Sequence, residues 1–197
     1  GFLTSAYVRE FLRSAVFWSL ITAGVLLGTV VVFVSKEIFG TATLPVTYQA
    51  LELTSAGFKL FTVIIVIFYA GELVWRERDV GIQDVLDATR APSWVGFVAK
   101  LLALLGVAFS IKLVVGLVAL ISQVGRGYFA IEPKLYLMEL FVLGWTGTAL
   151  TCVLALVVHV LVNHKYIAHS LMVLYYVFGA ILAAVGVEEP LVRYGSD

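Results

Sequence analysis

The chain has 197 residues, of which 61% are hydrophobic and only 13% charged, and its mean hydropathy is +1.03. A soluble domain is nearer half apolar and a quarter charged, so a water-soluble fold of this length is excluded. Thirteen Lys and Arg against thirteen Asp and Glu give no net charge that would argue for nucleic acid, and the single cysteine, Cys152, excludes an internal disulfide framework or a cysteine-based metal site.

Distributed over helices of about 20 residues, this length fits roughly five bilayer crossings with short connections, which predicts an all-α polytopic transmembrane bundle forming one membrane domain. The chain opens with a charged, amphipathic stretch from Phe2 through Arg13 that has no cleavage-type ending, so it does not read as a signal peptide. Its first residue is Gly1, as expected of a trimmed or excised fragment. Span one follows from Ser14 to Ser35, bounded by Arg13 and Lys36. Within it, Gly24 and Gly28 allow another helix to approach closely, although apolar spans contain such pairs by chance as well.

The further spans are expected from Ala56 to Trp75, Trp94 to Ser122, Leu135 to Val162 and Tyr166 to Val187. Spans three and four exceed the minimum length, so tilt or extension beyond the bilayer is expected. Strict alternation puts Arg9, Arg13, Arg76, Arg78, Arg90, Lys100 and Lys165 on one side, and Lys36, Lys59, Arg126, Lys134 and Arg193 on the other. The basic excess points to a cytoplasmic N-terminus.

Lys112 falls well inside span three and Glu139 one turn into span four. An ionised side chain at the centre of a span costs about 2.5–3.5 kcal/mol on insertion scales. Each residue therefore either snorkels to the interface or marks a polar point in a substrate path. His159, His164 and His169 are spaced five apart, which turns each about 140° from the last on a helix, so a metal shared by all three is not expected. They read as interface histidines bracketing the turn at Asn163-His164-Lys165.

The segment from Gly71 to Pro92 concentrates eight charges in a chain that otherwise avoids them. Asp79 can cap a short helix, Ile82, Val85 and Leu86 recur at helical spacing, and Pro92 stops any helix continuing past Thr89. The expected element is a short amphipathic helix beside the cytoplasmic face, with Asp84 and Asp87 opposite its apolar side. Such a helix either docks into a groove on a soluble partner or is an inert connection. Its negative face argues against attraction to anionic lipid.

Several motifs here are collinear: Gly71-Glu72, Trp75-Arg76-Glu77-Arg78, Leu86-Asp87-Ala88, Pro92-Ser93-Trp94 and Lys100. The run from Phe68 to Leu105 that carries them resembles the region after the second span of type-2 ABC transporter permeases. The resemblance is to those permeases whose polypeptide also bears a membrane-anchored zinc aminopeptidase of the gluzincin type. Leu44-Pro45-Val46-Thr47-Tyr48, Gly127-Tyr128-Phe129, Glu132-Pro133, Leu161 through Tyr166 and Arg193-Tyr194-Gly195 are similar to the same family, while Arg90 stands where it commonly has Pro.

The resemblance implies that Arg76 to Ala88 form a coupling helix seated in a cytoplasmic ABC ATPase subunit. Its contact residues would be Arg76, Glu77, Arg78, Asp79, Ile82, Asp84, Val85, Leu86 and Asp87, with Glu72 and Trp75 at the junction to span two. Glu72 and Arg76 are four apart and either pair to stiffen that junction or form an ordinary surface ion pair.

The resemblance further implies an interfacial helix over Phe2 to Leu12, with Leu3, Tyr7 and Phe11 toward acyl chains and Arg9 and Arg13 at headgroups; an ordinary basic flank is the alternative. It also implies a sixth span, a second membrane half as homo- or pseudo-dimer, an inner or plasma membrane location, and export of a substrate that no residue identifies. G-x-x-x-x-G-K-[ST] and H-E-x-x-H do not occur in the sequence, so no catalysis is expected of it and ATP with Mg²⁺ would bind the partner subunit. Two alternatives stand beside this one. One is the membrane anchor of a zinc aminopeptidase, and the other a secondary transporter using Lys112 and Glu139.

Overall fold

A computed structural model of the chain describes residues 2–34, 37–38, 41–42, 44–79, 81, 93–162 and 164–186. The protein is an all-α helical bundle. Among the described residues its helices are α1 (Phe2–Arg13), α2 (Ala15–Val34), α3 (Thr47–Asp79), α4 (Ser93–Gly125), α5 (Pro133–Leu161) and α6 (Lys165–Ala184). Two-residue strands, β1 (Glu37–Ile38) and β2 (Thr41–Ala42), pair antiparallel in the connection after α2, with Glu37 opposite Ala42 and Ile38 opposite Thr41.

Among the described residues five helices, α2 to α6, are long and apolar enough to cross a membrane, and the chain is a multi-pass membrane protein. Their composition requires every backbone group to be satisfied within the helix, and hydroxyl side chains follow the same rule. Thr22, Thr54, Thr62, Thr146 and Thr151 each donate to the carbonyl four residues back, at 2.6–3.0 Å. Ser14, the one residue between α1 and α2, caps α2 by accepting the Phe17 N–H at 3.5 Å.

Two helices depart from the expected extents. α3 begins at Thr47 rather than near residue 56 and continues as one helix through Asp79. Polar Gln49 and Glu52 read as loop in a hydropathy scan, but Glu52 is exposed on a helix whose neighbouring Ala50 and Leu51 are buried. α5 contains a π-helical turn, Glu139–Leu143, between α-helical segments Pro133–Met138 and Gly144–Leu161.

The chain divides into two compact units, each assembled from separated stretches. The first comprises residues 1–12, 65–108 and 147–197. Its core includes Ile65, Val66, Tyr69, Leu104, Val107, Leu156 and Met172, all at most 2% exposed. Phe11 of α1 is also buried, its ring edge-on to Tyr69 with centroids 4.4 Å apart. This corrects the expected acyl-chain contact of Phe11: the amphipathic face of α1 is partly spent on protein. Thr151 and Tyr176 tie α5 to α6 through a 2.7 Å hydroxyl contact.

The second unit comprises residues 13–64 and 109–146. In it α2 and α3 cross at glycine, as the Gly24 and Gly28 spacing allows. A Cβ at Gly24 or Gly28 would meet the Phe58 ring at 2.8 and 3.0 Å, and one at Gly57 would stand 2.7 Å from Gly28 Cα. Backbone contact of this kind holds helices where no hydrophobic drive distinguishes side chain from lipid. A polar cluster closes the unit. Fully buried Gln123 donates to Thr47 at 3.0 Å and accepts from the Tyr136 hydroxyl at 3.0 Å, while the Glu132 N–H donates to Thr47 at 3.3 Å. Gln123 is thereby satisfied on both its amide atoms, as a buried polar group must be.

Candidate functional site

The charged end of α3 lies in the first unit. Leu73, Val74 and Trp75 are buried there, so the last turns of the helix are fixed by packing before any charge acts. The Arg76 guanidinium donates to the Glu10 carboxylate of α1, and Lys165 Nζ, at the first residue of α6, donates to Asp79 Oδ2 at 3.1 Å. Arg76 therefore pairs across helices with Glu10, not along its own helix with Glu72. Glu72 is half-buried and adds its negative field to that of Glu10 at the guanidinium.

Asp79, expected to cap a separate helix, is the last residue of α3 itself. Its side chain accepts from Lys165, and the residues that it was expected to cap lie outside the described residues. Glu77 and Arg78 lie on the final turn of α3, while Ile82, Asp84, Val85, Leu86 and Asp87 lie outside the described residues. Both ion pairs are solvent-accessible, with side chains between 33% and 56% exposed. Each contributes about 0–1 kcal/mol at most, so their consequence is geometric: they join the ends of three helices.

Lys112 and Glu139 come together in the second unit. A Cβ at Gly144 would stand 2.8 Å from Lys112 Nζ and 2.7 Å from Glu139 Oε1, which places both charged heads against one glycine. Glu139 opens the π-helical turn, whose wide register is closed by the Gly144 N–H donating to the Glu139 carbonyl five residues back. Such turns insert one extra residue and recur at functional sites. Both side chains are half-buried, and Lys59 of α3 lies within electrostatic reach of Lys112.

Of the three histidines, two meet. His159 is fully buried and its Nε2 lies 3.4 Å from His169 Nδ1, with the rings edge-on at 4.7 Å between centroids. Each ring also bonds the carbonyl four residues back, His159 Nδ1 to Ala155 at 2.7 Å and His169 Nδ1 to Lys165 at 2.8 Å. Gly71 makes the room: a Cβ there would run into His169 Cε1 and stand 3.1 Å from His159 Nε2. His164 is exposed, beside Tyr166.

Sequence reasoning did not find Glu10, Lys165, Gly57 or Gly144 as partners. Glu10 and Arg76 are 66 positions apart and Asp79 and Lys165 are 86, and no local pattern encodes such contacts. Comparison of the chain with protein-family models, with curated proteins and with solved structures gives no match.

Proposed function

We propose that this chain is a membrane-spanning segment of an ATP-driven exporter permease, in which residues 76–90 are gripped by a cytoplasmic ABC ATPase subunit. ATP and Mg²⁺ belong to that subunit, and a second membrane half completes the transporter. The N-terminus is cytoplasmic, in an inner or plasma membrane, in line with the distribution of Lys and Arg.

The observation that supports this reading most is the pair of ties at the base of the charged segment. Arg76 is bound to α1 through Glu10, and Asp79 to α6 through Lys165. A displacement imposed on residues 80–90 is therefore delivered to α1, α3 and α6 together. An inert connection has no need of such bracing. The charge pattern from Arg76 to Arg90 is the second support, because it offers a soluble partner both ion pairs and the apolar positions Ile82, Val85 and Leu86.

The test is reconstitution of the full membrane protein with its cognate ATPase subunit in lipid nanodiscs. Membrane protein alone hydrolyses no ATP, and the assembled complex gains activity. Asp84→Lys with Asp87→Lys lowers that gain by about tenfold or more, since like charges at a docking face are strongly unfavourable. Stimulation untouched by the double reversal would remove residues 76–90 as the docking element.

A further inference from the structure

The π-helical turn divides α5 into two stretches that are held very differently. Pro133–Leu143, up to and including the turn, has no buried residue, whereas Gly144–Leu161 buries Gly147, Thr151, Cys152, Ala155, Leu156 and His159. We propose that the turn is a register switch: α5 passes between the wide turn and a regular α-helix, and the passage moves Pro133–Met138 and takes Tyr136 off Gln123. The switch is a property of this chain alone and does not rest on the docking of an ATPase.

Three observations carry it. First, the two registers differ by one exchange of partner. The Gly144 N–H donates to the Glu139 carbonyl five residues back, and in a regular helix it would donate to Leu140, so no other covalent or backbone change is needed at that position.

Second, Gly144 is fitted to the wide register by backbone. A Cβ there would stand 3.0 Å from the Glu139 carbonyl oxygen, and a helix carbonyl cannot swing aside as a side-chain end can. Any other residue at 144 would therefore press against the bond that closes the turn.

Third, little packing fixes the stretch before the turn. The Tyr136 hydroxyl donates to Gln123 Oε1 at 3.0 Å. The Phe141 ring lies against Phe109 with centroids 5.5 Å apart, and Leu140 covers Gly116 of α4, where a Cβ would meet its Cδ1 at 3.1 Å. Phe141, Val142 and Leu143 are 49–56% exposed. Apolar contacts of this kind can be exchanged for lipid at small cost, which leaves the tyrosine bond as the directional hold on the wide register.

Straightening the turn with no residue removed carries the preceding segment round the helix axis, because each residue of a helix has a fixed angular step. Residues 128–132 are not helical and take up the change at the other end. All the groups that exchange contacts belong to the second unit.

Fluorine NMR in phosphatidylcholine nanodiscs tests this. In a Cys152→Ser background, Leu137→Cys, at a position 57% exposed before the turn, carries a trifluoromethyl ketone label. Two resonances are expected, one for each register. Tyr136→Phe should raise the population of the second by about two- to tenfold, the weight of one hydrogen bond. Gly144→Ala should shift the populations in the same direction. The same label at Val160→Cys, 43% exposed in the buried stretch after the turn, should give one resonance.

A single resonance at position 137 in both the intact chain and Tyr136→Phe would overturn the proposal. So would two resonances at position 160 in the same ratio, which would report heterogeneity of the whole protein. Far-ultraviolet circular dichroism establishes that each variant is folded; should Gly144→Ala not fold, Tyr136→Phe alone decides the outcome.

Discussion

Gly57 carries more of the second unit than its lack of a side chain suggests. A Cβ there meets backbone, Gly28 Cα at 2.7 Å, which cannot swing aside as the end of a flexible side chain can. Gly57→Leu is therefore expected to destabilise the protein by about 1–3 kcal/mol, the usual penalty of overpacking, read as a lower thermal midpoint in detergent. An unchanged midpoint would show that α2 and α3 are free to separate. Cys152 is fully buried, so a maleimide should label it only after denaturation; rapid labelling of the folded protein would contradict the packing of α5. What single residues reveal in the sequence is uneven. Gly24 and Gly28 announce a close approach by their spacing, whereas Gly57 and Gly144 have no local signature, because what they make room for comes from another part of the chain. His159 and His169 show the same limit: angular steps along one helix say nothing of two residues that stand on different helices, α5 and α6.

Among the elements, the apolar runs made the spans legible because hydropathy over some twenty residues is a local property that lipid enforces. The start of α3 was not legible. It is set by Thr47, which is buried and bonded to Gln123 some 76 positions away, so the helix runs beyond its apolar stretch. The π-helical turn was likewise invisible, since its extra residue leaves composition unchanged. Deleting Val142 should restore regular register and turn the preceding segment by about 100° about its axis. The Tyr136–Gln123 bond would then be lost, and Tyr136→Phe, destabilising in the intact chain, would cause no further loss in the deletion background. Full additivity of the two changes would refute the structural role assigned to that turn. At the charged end of α3, the exposed Arg76–Glu10 and Lys165–Asp79 pairs predict a separation of effects. Arg76→Ala should shift stability by about 1 kcal/mol or less yet, under the proposed coupling, lower ATPase stimulation by the assembled complex. Loss of stability with stimulation intact would reverse that assignment.

At the scale of the molecule, composition alone excluded a soluble fold, and the five long helices accord with it. Partnership is another matter. Residues 76–90 are charged in a chain that otherwise avoids charge, and their value to a second subunit depends on which side of the bilayer they occupy. With Cys152→Ser as background and Asp84→Cys as the single thiol, a membrane-impermeant maleimide measures this directly. Labelling in inverted membrane vesicles and protection in intact cells is the predicted result. Labelling of intact cells from outside would put the segment beyond the reach of any cytoplasmic ATPase and contradict the proposed coupling.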